Sequence, residues 1–471
     1  MKSTAVSGFL SACVSLVCAS HAADSLQWTC STEGSRWLDK APVSLGGTEV
    51  FSDAQALRVL VNTSTKLQQI DGWGGCFNER GWKAIMELSP SDRKTLMDEL
   101  FHPTEGLRLG LCRTPIGAGD YAVELYSLNE TAGDHAMEKF SLEQDRKWLI
   151  PYIKAAQSIR PDLKLWGSPW SPPSWMKHNG SLHGPGPENR IKDDAQTLDA
   201  LALYFARYVE EYKKEGIEIS MVMPQNEPNM TTNYTSCLWT GEQLSKFIGH
   251  HLGPVFEKRG LSTEIHLGTI NDDDDRGGYA YWVEPSIQDP QTRKHLDGLG
   301  CQWDSAPTME ETHLLHPDMK LMQTEAECGN HENNWGFAEY QFGLAMKWFH
   351  AGAGSNMIWN IVLDETGLST GGWAQCSPVV VDTKKREIIR TPYFHLYQHF
   401  SHFIEPGAHL VASTGAWGDK LAFVNPNGGA VIVLANRSDQ EHPLTINIDG
   451  KRSGIVKIPA RSFNTFVAAS K

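Results

Sequence analysis

From residue 69 onward, short apolar runs alternate with longer stretches in which apolar residues recur every three or four positions. A short run that ends in Gly, Pro or polar residues is typical of a buried strand, and the longer spacing is typical of an amphipathic helix. The eight predicted strands are 69–73, 107–115, 163–168, 219–224, 264–269, 296–303, 320–325 and 355–362. The predicted helices are clearest at 142–160, 197–215, 240–259, 337–351 and 393–404, and two shorter ones are expected near 279–287 and 309–315.

Eight strand and helix units in succession predict an α/β fold, a (β/α)₈ TIM barrel. A doubly wound sheet is the competing architecture, but no Gly-x-Gly-x-x-Gly motif follows any of the strands. In a (β/α)₈ barrel the active site lies at the carboxyl ends of the strands, so candidate functional residues are sought there.

The segments on either side of the barrel follow a different pattern. Residues 28–61 and 409–467 have alternating apolar positions and glycine turns such as Asn427-Gly428-Gly429, without a long helical period. This pattern predicts an all-β domain in which strands from both chain ends pair. We therefore divide the chain into residues 24–65, a barrel at 66–405, and residues 406–471.

The first 23 residues resemble a secretory signal sequence. Lys2 precedes a long uncharged stretch, which ends in Ser20-His21-Ala22-Ala23. Small residues at this point are typical of a cleavage site, and the stretch is too short and too weakly apolar to span a bilayer. We expect a secreted protein, or a periplasmic one in a Gram-negative bacterium, without stable membrane insertion.

Charge and composition narrow the class of ligand. The sequence has 42 Lys and Arg against 56 Asp and Glu, a net charge of -14. This charge would repel nucleic acids and favours a neutral ligand. The 16 Trp residues exceed what a core of this size needs, and surplus indoles often form flat binding faces.

No cofactor or metal is expected. Seven cysteines remain after the signal sequence, none of them in a Cys-x-x-Cys pair, so a zinc knuckle is excluded and at least one thiol per chain stays unpaired. Asp272-Asp273-Asp274-Asp275 lacks the Gly and the terminal Glu of a calcium loop, so we interpret it as a solvated loop. A metal-dependent hydrolase that uses this run stays as an alternative.

Two predicted strands end in glutamates that could do acid and base chemistry. Glu227 follows the fourth strand within Gln225-Asn226-Glu227-Pro228, and Glu325 ends the seventh. A pair of carboxylates facing one barrel mouth is what glycoside hydrolysis requires. Glu327 faces the same side of an extended chain as Glu325, so spacing alone does not choose between them.

Other strand ends carry residue types that bind sugars. Trp170 follows the third strand, Gln302 and Trp303 end the sixth, and Trp359 and Trp373 lie in and beyond the eighth. Indole faces stack on the C–H faces of a pyranose, and polar side chains pair with its hydroxyls. Each Trp could equally belong to the core, but their clustering favours a cleft.

Together these motifs resemble glycoside hydrolase family 30, which includes lysosomal glucosylceramidase and microbial β-1,6-glucanases. The resemblance covers nearly the whole mature chain. The motifs that carry it are Asp71-Gly72-Trp73-Gly74-Gly75-Cys76-Phe77-Asn78-Glu79, Cys112-Arg113-Thr114-Pro115-Ile116-Gly117 with Asp120-Tyr121, Ser168-Pro169-Trp170 with Trp175-Met176-Lys177, Gln225-Asn226-Glu227-Pro228, and Gln323-Thr324-Glu325. The fold of that family, a barrel with a β-sandwich built from both termini, agrees with the pattern of the flanking segments.

The resemblance implies a retaining mechanism with Glu227 as general acid and base and Glu325 as nucleophile, which chooses Glu325 over Glu327. It also implies that Asp120, Trp170 and Trp359 contact the terminal sugar, that Arg113 orients the site near Asn226, and that Asn226 binds the 2-hydroxyl. Gln302, Trp303 and Trp373 complete the expected substrate-binding set.

Two positions depart from the glucosylceramidase pattern. His-Trp-Tyr is replaced by Gln302-Trp303-Asp304, so an aromatic hydroxyl beside the nucleophile is expected to be missing, and an expected Asn falls on Cys376. These departures favour the microbial branch, so we expect a monomeric endo-β-1,6-glucanase acting on β-glucan. The alternatives are a glucosylceramidase, a β-glucosidase or β-xylosidase, and a sugar-binding barrel without catalysis.

Overall fold

The structure is a computed structural model that describes residues 25–46, 56–272 and 276–469. The predicted signal sequence and residues 273–275 of the acidic run lie outside the described residues. The described chain starts with three strands, β1 (Ser25–Thr32), β2 (Leu38–Ser44) and β3 (Leu57–Gln69). β3 continues beyond the expected domain boundary at residue 65.

Eight parallel strands form a barrel, as the apolar runs predict. They are β4 (Gly72–Cys76), β5 (Leu111–Pro115), β6 (Lys164–Ser168), β7 (Ile219–Val222), β8 (Glu264–Ile270), β9 (Gly298–Gln302), β10 (Lys320–Glu325) and β11 (Ser355–Asn360). Each strand lies beside its predecessor, and β11 returns to pair with β4. Backbone bonds from Gly354 N to Leu321 O (2.8 Å) and from Ala326 N to Met357 O (2.9 Å) bring β11 and β10 together, so the barrel is nearly closed.

The first barrel strand lies three residues further along than predicted, because its glycines were interpreted as a strand end. Instead, these glycines allow the neighbouring strand to approach closely. A Cβ added at Gly74 would lie 1.5 Å from the carbonyl oxygen of Leu111 on the neighbouring strand. Only glycine allows that contact.

In the described part of the chain, twelve α-helices cover the barrel and the loops between its strands. They are α1 (Glu79–Met86), α2 (Pro90–Phe101), α3 (Leu149–Ile159), α4 (Ala195–Lys214), α5 (Gly241–Phe247), α6 (Gly253–Arg259), α7 (Gly278–Trp282), α8 (Glu284–Gln288), α9 (Pro290–His295), α10 (Ala306–Leu315), α11 (Trp335–His350) and α12 (Pro392–Ser401). In α4, Leu201, Tyr204, Phe205 and Tyr208 are fully buried, as their spacing predicts.

Two predicted helices differ in detail. The helix expected at 240–259 is α5 and α6 joined by a π-helical turn, Ile248–Leu252. The helix expected from residue 142 begins only at Leu149. The preceding segment is held as turns because the buried carboxylate of Asp145 accepts hydrogen bonds from Tyr126 (2.7 Å) and Tyr212 (2.6 Å).

After β11 the chain forms a small sheet and then a second domain. The small sheet consists of β12 (Val362–Asp364), β13 (Val379–Asp382) and β14 (Glu387–Arg390). The last strands are β15 (His409–Thr414), β16 (Lys420–Val424), β17 (Ala430–Asn436), β18 (His442–Ile448), β19 (Lys451–Arg452), β20 (Val456–Ile458) and β21 (Ser462–Ala468).

The second domain joins both ends of the chain, which confirms the prediction. β1 pairs with β21 along nearly its whole length, from Leu26 opposite Ala468 to Thr32 opposite Ser462. β3 lies between β15 and β18 in the same ten-stranded sheet. The second domain has its own hydrophobic core, in which Val59, Ile432 and Phe466 are fully buried. α12 connects this domain to the barrel because His399 contacts Ser31 Oγ (2.9 Å) and Thr465 Oγ1 (2.8 Å).

Within the described ranges, no helix is long and apolar enough to cross a membrane. The seven cysteines after residue 23 are all buried free thiols.

Candidate active site

Glu227 lies just beyond β7 and faces the barrel axis. Its backbone has a φ of 46°, in the left-handed region, and is held there by a bond from its N–H to the carbonyl of Thr269 (3.1 Å). Its Oε1 accepts a hydrogen bond from Asn271 Nδ2 (2.8 Å). Burial, and then the nearby Glu325 carboxylate, raise the pKa of Glu227 to about 7.

Glu325 is the last residue of β10 and is 5% exposed. Oε2 forms an ion pair with Arg113 Nη1 (2.7 Å), and Oε1 accepts a bond from the indole N–H of Trp303 (2.8 Å). Burial raises the pKa of Glu325, while Arg113 and Trp303 oppose that effect by favouring the anion. Glu327 lies elsewhere, since its carboxylate accepts a bond from Tyr340 OH.

Arg113 connects the two halves of the site. Besides Glu325, its guanidinium donates to Ser168 Oγ and Asn226 Oδ1, both at 2.7 Å. The charge lies 4.2 Å from the ring centre of Trp170 and 5.6 Å from that of Trp359. These contacts fix a fully buried guanidinium in one orientation.

Asn226 is oriented by three donors that converge on its Oδ1. They are Arg113 Nη2, Thr269 Oγ1 (3.1 Å) and Gln302 Nε2 (3.3 Å). The amide nitrogen therefore turns the other way, toward Glu227 Oε2 at 3.4 Å. Gln302 also accepts from Thr324 Oγ1 (3.1 Å), so its side chain lies behind Asn226 and orients it.

Asp120, Trp170 and Trp359 form a buried wall beside the two glutamates. They are 4%, 2% and 4% exposed, and the indoles lie 5.2 Å apart. Within the described part of the chain, Oδ1 of Asp120 has no hydrogen-bond partner. Burial and the charges of Glu325 and Glu227 raise the pKa of Asp120 well above its usual value. An unpartnered carboxylate oxygen here is available to ligand hydroxyls.

Trp303 and Trp373 lie side by side at the outer edge of this wall, and Trp303 packs against the cluster that contains Trp170 and Trp359. Their ring centres are 5.9 Å apart, and Trp373 is 36% exposed with its indole N–H bonded to Asn330 Oδ1 (2.9 Å). Trp303 therefore contacts the nucleophile candidate, whereas Trp373 lies at the rim.

The sequence prediction missed Asn271, which follows β8 and holds Glu227. The only signal for it was its place one residue after a strand. Cys376, at an expected Asn position, donates its thiol to Glu332 Oε2 (3.3 Å). Asp272 accepts from Trp282 Nε1 (2.5 Å), and the described residues contain no cluster of three His, Cys, Asp or Glu suited to a metal.

Comparison with known families agrees with this geometry. Residues 70–404 match the glycosyl hydrolase family 30 TIM-barrel domain, and residues 408–466 match its β-sandwich domain. The chain belongs to glycoside hydrolase family 30. This family 30 chain is therefore a retaining glycoside hydrolase.

Relatives with two kinds of name match this chain. Putative glucosylceramidase 1 of Caenorhabditis elegans is 30% identical, over 93% of this chain and 87% of the relative. Lysosomal acid glucosylceramidase of Mus musculus is also 30% identical, over 88% and 84%. Endo-1,6-beta-D-glucanase neg1 of Aspergillus fumigatus is 26% identical, over 91% of each chain.

Two solved structures share the fold of this family 30 chain. SrfJ from Salmonella typhimurium superimposes with a TM-score of 0.86 at 24% identity, over 95% of this chain and all of that one. The endo-beta1,6-glucanase BT3312 does so with a TM-score of 0.83 at 22% identity, with the same coverage.

Proposed function

We propose that the protein is a secreted hydrolase of β-1,6-linked glucan in which Glu227 is the general acid and base and Glu325 the nucleophile. The observation that carries the assignment of roles is the contrast between the two carboxyl environments. Arg113 and Trp303 give Glu325 two donors that stabilise an anion, whereas burial and a neighbouring negative charge favour a protonated Glu227. When two carboxyl groups lie in such different environments, the one that favours protonation is assigned as the acid and the one that favours the anion as the nucleophile.

The reaction then takes two steps. Glu325 attacks the anomeric carbon while Glu227 gives its proton to the leaving oxygen, so that the glycosidic bond breaks and a glycosyl ester forms. Esterification removes the charge of Glu325, which lowers the pKa of Glu227. The ionised Glu227 takes a proton from water, which attacks the anomeric carbon and frees Glu325.

Binding residues follow from the same geometry. The amide nitrogen of Asn226 is oriented to donate to the 2-hydroxyl of the sugar beside Glu227. The free oxygen of Asp120 accepts from hydroxyls on the far side of that ring. Trp170 and Trp359 supply apolar faces against its C–H groups.

The aromatic rim supports a glucan as substrate. Trp373 offers an indole face at the rim beside the ring of Trp303, and the neighbouring Asp304 and Asn330 are exposed polar residues. Such a surface suits a second sugar better than an acyl chain. The name of the Aspergillus relative agrees with a β-1,6 linkage.

Glucosylceramide is the second candidate, because two relatives with that activity in their names are 30% identical to this chain.

Product analysis separates the two substrates. The purified protein is incubated with β-1,6-glucan and, in parallel, with glucosylceramide in detergent micelles, and released sugars and ceramide are measured. We expect sugars from the glucan, and Glu325→Gln in both arms controls for contaminating hydrolases. Preferential release of ceramide would reject the glucan proposal.

Secretion is tested by the N-terminal sequence of protein from the culture medium, which should start near residue 24.

A further inference from the structure

We infer that the pocket holds a single sugar at the non-reducing end of the substrate, so that the enzyme removes terminal residues and does not cut inside a chain. The inference rests on the catalytic roles proposed above and changes the expected endo mode of action. It comes from a loop that closes one side of the site. We call residues 366–372, which follow β12, the crossing loop.

The crossing loop is attached to the segment that carries Asp120. The N–H of Thr370 donates to the carbonyl of Asp120 (2.6 Å), and its hydroxyl donates to the carbonyl of Ala122 (2.7 Å). Tyr121 OH donates to the carbonyl of Gly367 (2.6 Å). The wall behind the Asp120 carboxylate therefore continues without a break into the crossing loop.

The far end of the crossing loop reaches the segment that follows Glu227. Asn233 Nδ2 donates to the carbonyl of Gly371 (3.1 Å). A Cβ added at Gly371 would lie 2.8 Å from Asn233 Oδ1 and 2.9 Å from Tyr234 Cδ1, so the two segments are in close contact. Thr235 Oγ1 also donates to the carbonyl of Ala118 (2.7 Å). A sugar chain cannot pass between two segments that are in such close contact.

Exposure differs sharply across the site. The residues of the Asp120 wall are at most 4% exposed, whereas Trp373 and Met230 on the outer rim are 36% and 39% exposed. Internal cleavage needs a cleft that is open at both ends, because sugar units continue on both sides of the broken bond. Of these residues only those of the rim are exposed, so the leaving group must pass over the rim and the sugar bound against the wall must be the last one of its chain.

Nitrophenyl β-gentiobioside, which carries two β-1,6-linked glucoses, tests the inference directly. A single-sugar pocket releases glucose first, and nitrophenol follows with a lag as nitrophenyl β-glucoside is consumed. Simultaneous release of gentiobiose and nitrophenol would overturn the inference, since two sugars would then fit before the broken bond.

The same assay distinguishes a wrong pocket from a wrong linkage. Nitrophenyl β-glucoside and the β-1,3 and β-1,4 diglucosides are tested in parallel. If the gentiobioside is inert while the monoglucoside is cleaved, the β-1,6 proposal fails and the single-sugar pocket is supported. Any diglucoside that yields a disaccharide in the first turnover contradicts the pocket, whatever its linkage.

Asn233→Ala tests the crossing loop as the cause. Loss of the Asn233 to Gly371 bond should raise release of disaccharide from undetectable to measurable. Leu368→Ala, an exposed residue of the same loop, is the matched control and should leave the products unchanged. An Asn233→Ala enzyme that folds and still releases only glucose would show that this contact does not close the pocket.

Discussion

The indole nitrogen of Trp303 lies 2.8 Å from Oε1 of Glu325 and donates its hydrogen to it. We expected an aromatic hydroxyl to be missing beside the nucleophile, because Gln302-Trp303-Asp304 replaces the His-Trp-Tyr of glucosylceramidases. The indole N–H supplies a donor to the same carboxylate. In this arrangement the backbone of Trp303 is in the left-handed region, with a φ of 53°.

Trp303→Phe keeps an aromatic ring and removes this donor. A hydrogen bond to a charged group contributes about 1.5–3 kcal/mol, so the pKa of Glu325 should rise by roughly 1–2 units. Since the nucleophile must be ionised, the acidic limb of the kcat/KM profile should move to higher pH. Trp373→Ala is the control, and it should raise KM without moving that limb. An unchanged acidic limb in Trp303→Phe would reject the role of the indole.

Asn271→Ala should move the alkaline limb of the kcat/KM profile. Asn271 donates to the Glu227 carboxylate and so favours its ionised form, and its removal should raise the pKa of Glu227 above about 7. Because Glu227 must be protonated at the start, activity falls as pH rises through that pKa. The alkaline limb should therefore shift to higher pH by roughly one unit. A shift to lower pH would contradict the assigned hydrogen bond.

The roles of the two glutamates can be separated with azide. Glu325→Gly should lose roughly 10⁴-fold or more in kcat, and azide should restore cleavage of an aryl β-glycoside and yield the glycosyl azide of inverted configuration. Glu227→Ala should retain its first step with a good leaving group, and azide should give the product of retained configuration. Exchange of the two product configurations would mean that the roles are reversed.

Asp120→Ala tests the unpartnered oxygen of the wall. Loss of its contacts to the terminal sugar should reduce kcat/KM by about 10²-fold, which corresponds to ~2.7 kcal/mol. Folding should not suffer, since removal of a buried carboxylate with one unpartnered oxygen relieves a desolvation cost. Thermal unfolding should show an unchanged or higher Tm. A variant with full activity would mean that Asp120 does not bind the sugar.

The barrel and the site elements were predictable because their signals are local. Eight apolar runs of strand length, separated by helical periods, specify β4 to β11. Glu325 could be found because it ends such a run, and Glu227 because it follows another by three residues. The first strand was misplaced because glycines that allow close packing, such as Gly74, look the same in a sequence as glycines that end a strand.

The remaining features depend on contacts between distant segments. Asn271 holds Glu227 from another strand, and Gln302 acts through Asn226. Gly371 of the crossing loop and its partner Asn233 are 138 positions apart in the sequence. No periodicity or motif encodes such pairs, since each depends on how loops from different units meet at the barrel mouth.

The pairing of β1 with β21 sets the order in which the molecule can be completed. A ribosome makes β1 long before β21, so this edge of β1 stays uncovered until β21 has been made. Until then its backbone N–H and C=O groups are open to pairing with other chains. A chain cut short by only the last ten or so residues would retain every catalytic side chain, yet it would be released with that edge uncovered and would aggregate.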